Sequence, residues 1–150
     1  MDKKILDFLL NNHLLSLSVL ENSDSSQKRQ LESKYHNFIE YEVYTASCYY
    51  AFDKVNLSFI IKSSPNSKHI QLAYKNPILA INISEDSMNI ANIKGAQIKA
   101  IFMNSTKEQK DIYYNTFPFA ILYSGELYTL KIAWVKYTHN ALNKKIFFEA

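Results

Sequence analysis

The residues best suited to chemistry in this chain form the run Ser63-Ser64-Pro65-Asn66-Ser67-Lys68-His69, which follows a β-patterned stretch and opens a short amphipathic segment. Hydroxyls at Ser63 and Ser67, the free N–H groups of a helix start, and the side chains of Lys68 and His69 supply charge-assisted hydrogen bonds of the kind a phosphate monoester accepts. On the residues alone, a Ser-capped surface helix with a lysine in its first turn outweighs an anion site by about two to one. Cys48 is the sole cysteine. Its apolar, aromatic strand setting suits a small core residue better than a reactive thiol, and a single cysteine forms no intramolecular disulfide. Histidines stand at 13, 36, 69 and 139. None has an i, i+4 or Cys-x-x-Cys partner, so no metal site is expected.

The elements that must position these residues follow from hydrophobic periodicity. Asp2 to His13 spaces Ile5, Leu6, Leu9 and Leu10 along one helix face, suited to capping the end of a barrel or sheet. Leu15, Leu17 and Val19 then alternate with Ser16 and Ser18 as a half-buried strand. A polar insertion follows at about 21–38, within which Asp24 to Tyr35 is either a solvent-facing helix or a mobile segment. The aromatic second strand, Tyr41 to Phe52, carries large residues on both faces, so both are expected to be covered. A tight Asp53-Lys54 turn leads to a third strand, Val55 to Ile61, and then to the Ser63–His69 run and its helix. Asn76-Pro77 launches strand four, Ile78 to Ile83, and Met88 to Phe102 reads as a long strand. Gly95 interrupts it, as glycine does at a bulge or where a ligand or backbone comes close. Ser105 and Thr106, with Glu108 and Gln109, offer two overlapping capping boxes for a helix that Pro118 stops. Two further strands, Glu126 to Thr138 and Lys145 to Phe148, close the chain.

With 150 residues, nearly half of them apolar, the chain is the size of a single domain spanning 1–150. A net charge of +3 from scattered lysines does not call for nucleic acid. Asp7, Asn11, Asn12 and His13 interrupt the N-terminal apolar run, and no segment has the length of a membrane span, so a cytoplasmic location without membrane partners is expected. The element order implies a mainly β fold, a small closed antiparallel β-barrel of six to seven strands with N-terminal, inter-strand and late helices, rather than a βαβ fold.

The order of helix, SLSV strand, TASCYYAFD hairpin, SSPNSKH run and helix, Asn76-Pro77, IKGAQIKA strand, helix ending Phe117-Pro118 and aromatic last strand resembles the pyridoxamine 5′-phosphate oxidase-like FMN-binding split-barrel proteins, in particular their small uncharacterised bacterial branch. The resemblance runs from the first helix to Asn140. It implies FMN as cofactor, with Ser67, Lys68 and His69 at the flavin phosphate and Ser63 contributing a further hydroxyl. It implies that Ala46, Ser47 and Cys48 pass the isoalloxazine ring, and that Lys94 and Gly95 approach the flavin from the other side. Gln97 fits the branch's Gly-x-Gln pattern or is a plain barrel-facing glutamine. Trp134 covers the flavin or belongs to the core or an interface. The resemblance further implies a homodimer with flavin at the subunit interface. The oxidase's substrate-binding Arg and His residues have no counterpart, so pyridoxamine phosphate oxidation itself is not expected. Three functions remain open: an FMN-dependent oxidoreductase of unknown small-molecule substrate, a non-catalytic flavin-binding or sensing module, and a barrel that has lost its ligand, exchanged it for haem, or become an interaction protein.

Overall fold

The computed structural model describes residues 1–22 and 41–150. From residue 23 onward, the expected polar insertion lies outside the described residues. The elements are α1 (Lys3–Asn11), β1 (Leu14–Asn22), β2 (Tyr41–Asp53), β3 (Ser58–Ser63), α2 (Lys68–Lys75), β4 (Ile78–Ser84), β5 (Lys94–Asn104), α3 (Lys107–Thr116), β6 (Glu126–His139) and β7 (Lys144–Glu149). All strand pairs are antiparallel, in the order β3-β2-β1-β4-β5-β6-β7, and an additional β3–β6 pairing closes the first six into a barrel. Strand β6 serves both parts of the sheet: Glu126 to Lys131 pairs with β3, and Trp134 to His139 with β7. The switch coincides with a bulge, where Lys99 faces Trp134 but Ala100 faces Ile132, leaving Ala133 as the extra residue.

Alternation explains the core. Leu15, Leu17 and Val19 of β1, Leu79, Ile81 and Ile83 of β4, and Ala96, Ile98 and Ala100 of β5 all point inward and are buried. α1 buries Ile5, Phe8 and Leu9 across the barrel, while Leu10 stays exposed. The Tyr50 hydroxyl fastens α1 by donating to the Leu9 carbonyl at 2.9 Å, and its ring meets Phe59 edge-on at 4.9 Å. A second small cluster of Ala51, Ile60, Tyr113 and Leu127 seats α3 on the outside of β2, β3 and β6.

Several local expectations are corrected. The β2–β3 connection is a four-residue loop rather than a tight turn, and β3 begins at Ser58 rather than Val55. The buried Asp53 carboxylate accepts from the Val55 and Asn56 N–H groups at 3.0 Å each, which curls the chain before the strand can start, and Leu57 completes the turn at φ 50°. β5 starts at Lys94, because Ile90–Asn92 forms a 3-10 turn in place of the expected strand extension from Met88. Gly95 lies in regular register opposite Ser84 and Thr138, and the bulge falls at Ala133 of β6, across from the Lys99–Ala100 step, instead. Only one of the two capping boxes forms, Thr106 with Gln109, while the Ser105 hydroxyl turns to Thr129 at 2.9 Å. The outer face of β2 is covered by α3 only at its end, where Ala51 is buried, and is open within this chain from Val43 to Tyr49, which are 63% and 64% exposed.

Candidate functional site

The turn between β3 and α2 positions the candidate anion-binding residues. The Ser67 N–H donates to the Ser64 carbonyl at 3.0 Å and the Asn66 N–H to the Ser64 hydroxyl at 3.2 Å, so the chain reverses tightly into α2. Ser67 occupies the N-cap position with extended dihedrals, yet its side chain makes no capping bond. Its hydroxyl lies 3.0 Å from that of Ser63, which lies 3.0 Å from His69 Nε2. Cys48 Sγ approaches the same imidazole nitrogen at 3.9 Å. Burial lowers the His69 pKa from its ordinary 6.5 and raises that of the Cys48 thiol to about 11. At neutral pH the cluster is therefore an uncharged chain of hydroxyls, imidazole and thiol, and Cys48 does not supply a thiolate nucleophile. Among the described residues, no group of three His, Cys, Asp or Glu side chains is arranged to hold a metal ion.

Lys68 turns the other way. Its ammonium lies 2.8 Å from Glu21 Oε2 and 4.9 Å from the centre of the Tyr44 ring. The hydrogen bond to Glu21 is the main cause of its raised pKa. Glu42 stands directly across from Glu21 in the β1–β2 register, so two like charges face each other beside one lysine. An anion arriving at Lys68 must compete with Glu21 for the ammonium. The sequence alone does not bring Glu21 and Glu42 together, although the period of two that sends Leu15, Leu17 and Val19 inward also sends Glu21 inward.

The remaining candidates separate. Ala46 faces inward on the same strand face as Cys48, whereas Ser47 faces outward and meets the Ser16 hydroxyl at 3.3 Å. Gln97 is exposed on the outer face of β5 opposite Lys136, which corrects the barrel-facing alternative: Ala96 and Ile98 occupy the inward positions. Trp134 is half-buried opposite Lys99 and Glu149, with the Lys99 ammonium 5.8 Å from its ring and Phe147 at 6.2 Å. Lys94 pairs with Glu85 at 3.4 Å and, with His139, Asp7, Asn11 and Tyr137, lines a cleft of about 300 Å³ beside α1. Ser63 faces Glu126 at one end of β6, and Gly95 faces Thr138 near the other. The strand path between those positions is roughly 40 Å at about 3.3 Å per residue.

No family model matches the chain. A UPF0306 protein of Campylobacter jejuni is 42% identical over 151 aligned residues, covering 99% of this chain and 98% of the relative. Among solved structures, a heme binding protein from Mycobacterium smegmatis aligns with TM-score 0.67 at 9% identity over 92% of this chain and 53% of its own. This chain thus spans about half of that protein. A FAD-binding protein from Mesorhizobium loti aligns with TM-score 0.62 at 15% identity, covering 88% and 87% of the two chains. A candidate pyridoxamine 5′-phosphate oxidase from Listeria innocua gives 0.62 at 14%, covering 92% and 97%. At these identities the likeness is one of fold, the split-barrel architecture of six barrel strands with an added seventh. The similarity to the Campylobacter protein extends through the sequence itself, and the chain belongs to the UPF0306 family.

Proposed function

We propose that this protein binds FMN, with the phosphate at the N-terminus of α2. The observation that carries the reading is the uncapped helix start: Ser67 sits at the N-cap without capping, and the first turn holds no acidic residue but begins Lys68-His69. Such an end presents backbone N–H groups and the positive pole of the helix dipole to an anion. Lys68 adds a full charge once Glu21 releases it, Ser63 and Ser67 add hydroxyls, and His69 gains a proton favoured by a neighbouring phosphate. The flavin- and heme-binding descriptions of the Mesorhizobium and Mycobacterium proteins that share the fold support a cofactor-binding role.

FMN supplies hydride and electron transfer, and an oxidoreductase acting on a small molecule is the activity proposed. The chain's own groups bind and orient. Lys94 and Gly95 lie too far along β6 from Ser63 to touch the same flavin within one chain. Their proposed role therefore belongs to the site of a second copy, in a homodimer with two interfacial pockets.

An absorbance spectrum of the purified protein, recorded after adding FMN and removing the excess, tests the reading. Retained flavin bands near about 370 and 450 nm are expected. A protein that retains no FMN rejects the proposal, and a strong Soret band would replace flavin with haem.

A further inference from the structure

We propose that the aromatic cleft between the end of α3 and β2 is a second ligand site, for a planar aromatic anion, separate from the Ser67–His69 end of α2. The cleft has a volume of about 420 Å³ and is lined chiefly by Tyr49, Tyr113, Phe117, Phe119 and Tyr123. This volume lies within the range of small-molecule pockets, roughly 300 to 1,000 Å³. The rings do not close on one another as a core would. Phe117 is the hub, tilted against Tyr113 at 5.2 Å and edge-on to Tyr49 at 6.4 Å, while Phe119 is 78% exposed at the rim. Flat faces and edges left open in this way favour a planar ring system, which stacks at low conformational cost.

The charge of the ligand follows from Lys62. Its ammonium is held behind the cleft wall by the Ala120 and Tyr123 carbonyls, each at 2.7 Å, and by the Tyr114 hydroxyl at 3.3 Å. These partners are neutral, and among the described residues no carboxylate lies within ion-pair distance of Lys62. Among the described residues the cleft lining contains no acidic side chain. The C-terminal pole of α3 brings about half a negative charge, less than the full positive charge that Lys62 brings to the wall. Of these two charges the positive one is the larger, which favours an anion over the cationic guests that aromatic cages otherwise take. Lys62 also fixes the 3-10 turn Pro118–Leu122, and with it the rim residue Phe119.

The test uses 8-anilinonaphthalene-1-sulfonate as the anionic probe and N-phenyl-1-naphthylamine as its neutral analogue, each titrated by fluorescence into the intact chain. One saturable sulfonate site per chain is expected, with weaker binding of the neutral amine. Phe119→Ala, a change at an exposed position, is expected to weaken sulfonate binding about tenfold. Lys62→Met should abolish the preference for the anion and Lys62→Arg should keep it. Ser67→Ala with Lys68→Ala should leave sulfonate binding unchanged, which separates this site from the proposed flavin phosphate site. Equal affinity for the two probes, or an unchanged affinity in Phe119→Ala, overturns the proposal. So does a wild-type dimer that binds no probe and that Phe119→Ala dissociates, since a second copy would then be the occupant.

Discussion

At the scale of single residues, the site turns on which partner each polar group keeps. Ser67 gives its hydroxyl to Ser63 instead of to the helix, and Lys68 gives its charge to Glu21. If the α2 start holds the flavin phosphate, Ser67→Ala with Lys68→Ala should weaken FMN binding by at least about tenfold in a fluorescence-quenching titration. Unchanged affinity in that double variant would remove the phosphate assignment. Glu21→Gln makes the opposite prediction. It frees the ammonium and relieves the facing Glu42, so FMN should bind more tightly, while thermal stability moves little because the pair is partly solvated. Weaker binding in Glu21→Gln would show that the carboxylate assists rather than competes. His69 carries a pH signature of its own. Burial holds its pKa below the ordinary 6.5, so the unfolded chain binds the proton more readily. The associated stability is complete above that value and is lost as the pH falls through the lowered one. The melting temperature should therefore drop as the pH falls below about 6.5, and His69→Gln should flatten that limb. An identical acid limb in the variant would assign it to other groups.

At the scale of elements, α3 is tied to the barrel by a buried polar relay. Gln109 completes the capping box with Thr106, accepts from the Thr129 hydroxyl at 2.7 Å, and donates to Asp53 Oδ2 at 3.4 Å. Burial alone would raise the Asp53 pKa, but hydrogen bonds from Asn56, Gln109 and Val55 outweigh it and hold the carboxyl below 3.8. Gln109→Ala removes one cap and leaves Thr129 with one partner fewer. A loss of about 2 to 3 kcal/mol in urea unfolding is expected. A loss below about 0.5 kcal/mol would mean that the apolar contacts of Tyr113 seat α3 without the relay. Gly125 acts on the same region from the other side. At φ 127° it enters β6 in a conformation that suits glycine, and an added Cβ would stand 3.1 Å from the Ser63 carbonyl oxygen. The close approach of these two backbones fixes the end of β3 from which the Ser63 side chain reaches His69.

At the scale of the molecule, β6 sets what one chain can do. Its first half closes the barrel beside Ser63, and its second half carries Lys94 and Gly95 as neighbours on β5. On the proposed flavin reading, the two groups would belong to the pockets of two chains. Sedimentation equilibrium in the presence of FMN should accordingly give twice the 17.4 kDa chain mass with one flavin per chain. A monomer that binds FMN with full affinity would restrict the site to the α2 end and leave Lys94 and Gly95 outside it. Among the described residues, no helix is long and apolar enough to cross a membrane.

The sequence by itself determined what depends on neighbours along the chain. Alternating Leu15, Leu17 and Val19 declares which face of β1 is buried, Asp2 and Thr106 mark helix starts, and Ser63, Ser67 and His69 are grouped because six residues span them. The pairings that shape the candidate site lie between distant segments and have no such signal. Glu21 reaches Lys68 only because β1 and α2 meet at one end of the barrel, and Gln97 faces outward through a register that periodicity alone leaves open on a strand with mixed faces. Whether Ser67 caps its helix or bonds Ser63 is a competition between two short hydrogen bonds, settled by where β3 ends. The separation of Lys94 from Ser63 follows from the length of β6 and the closure of the barrel, a global property that no local pattern encodes.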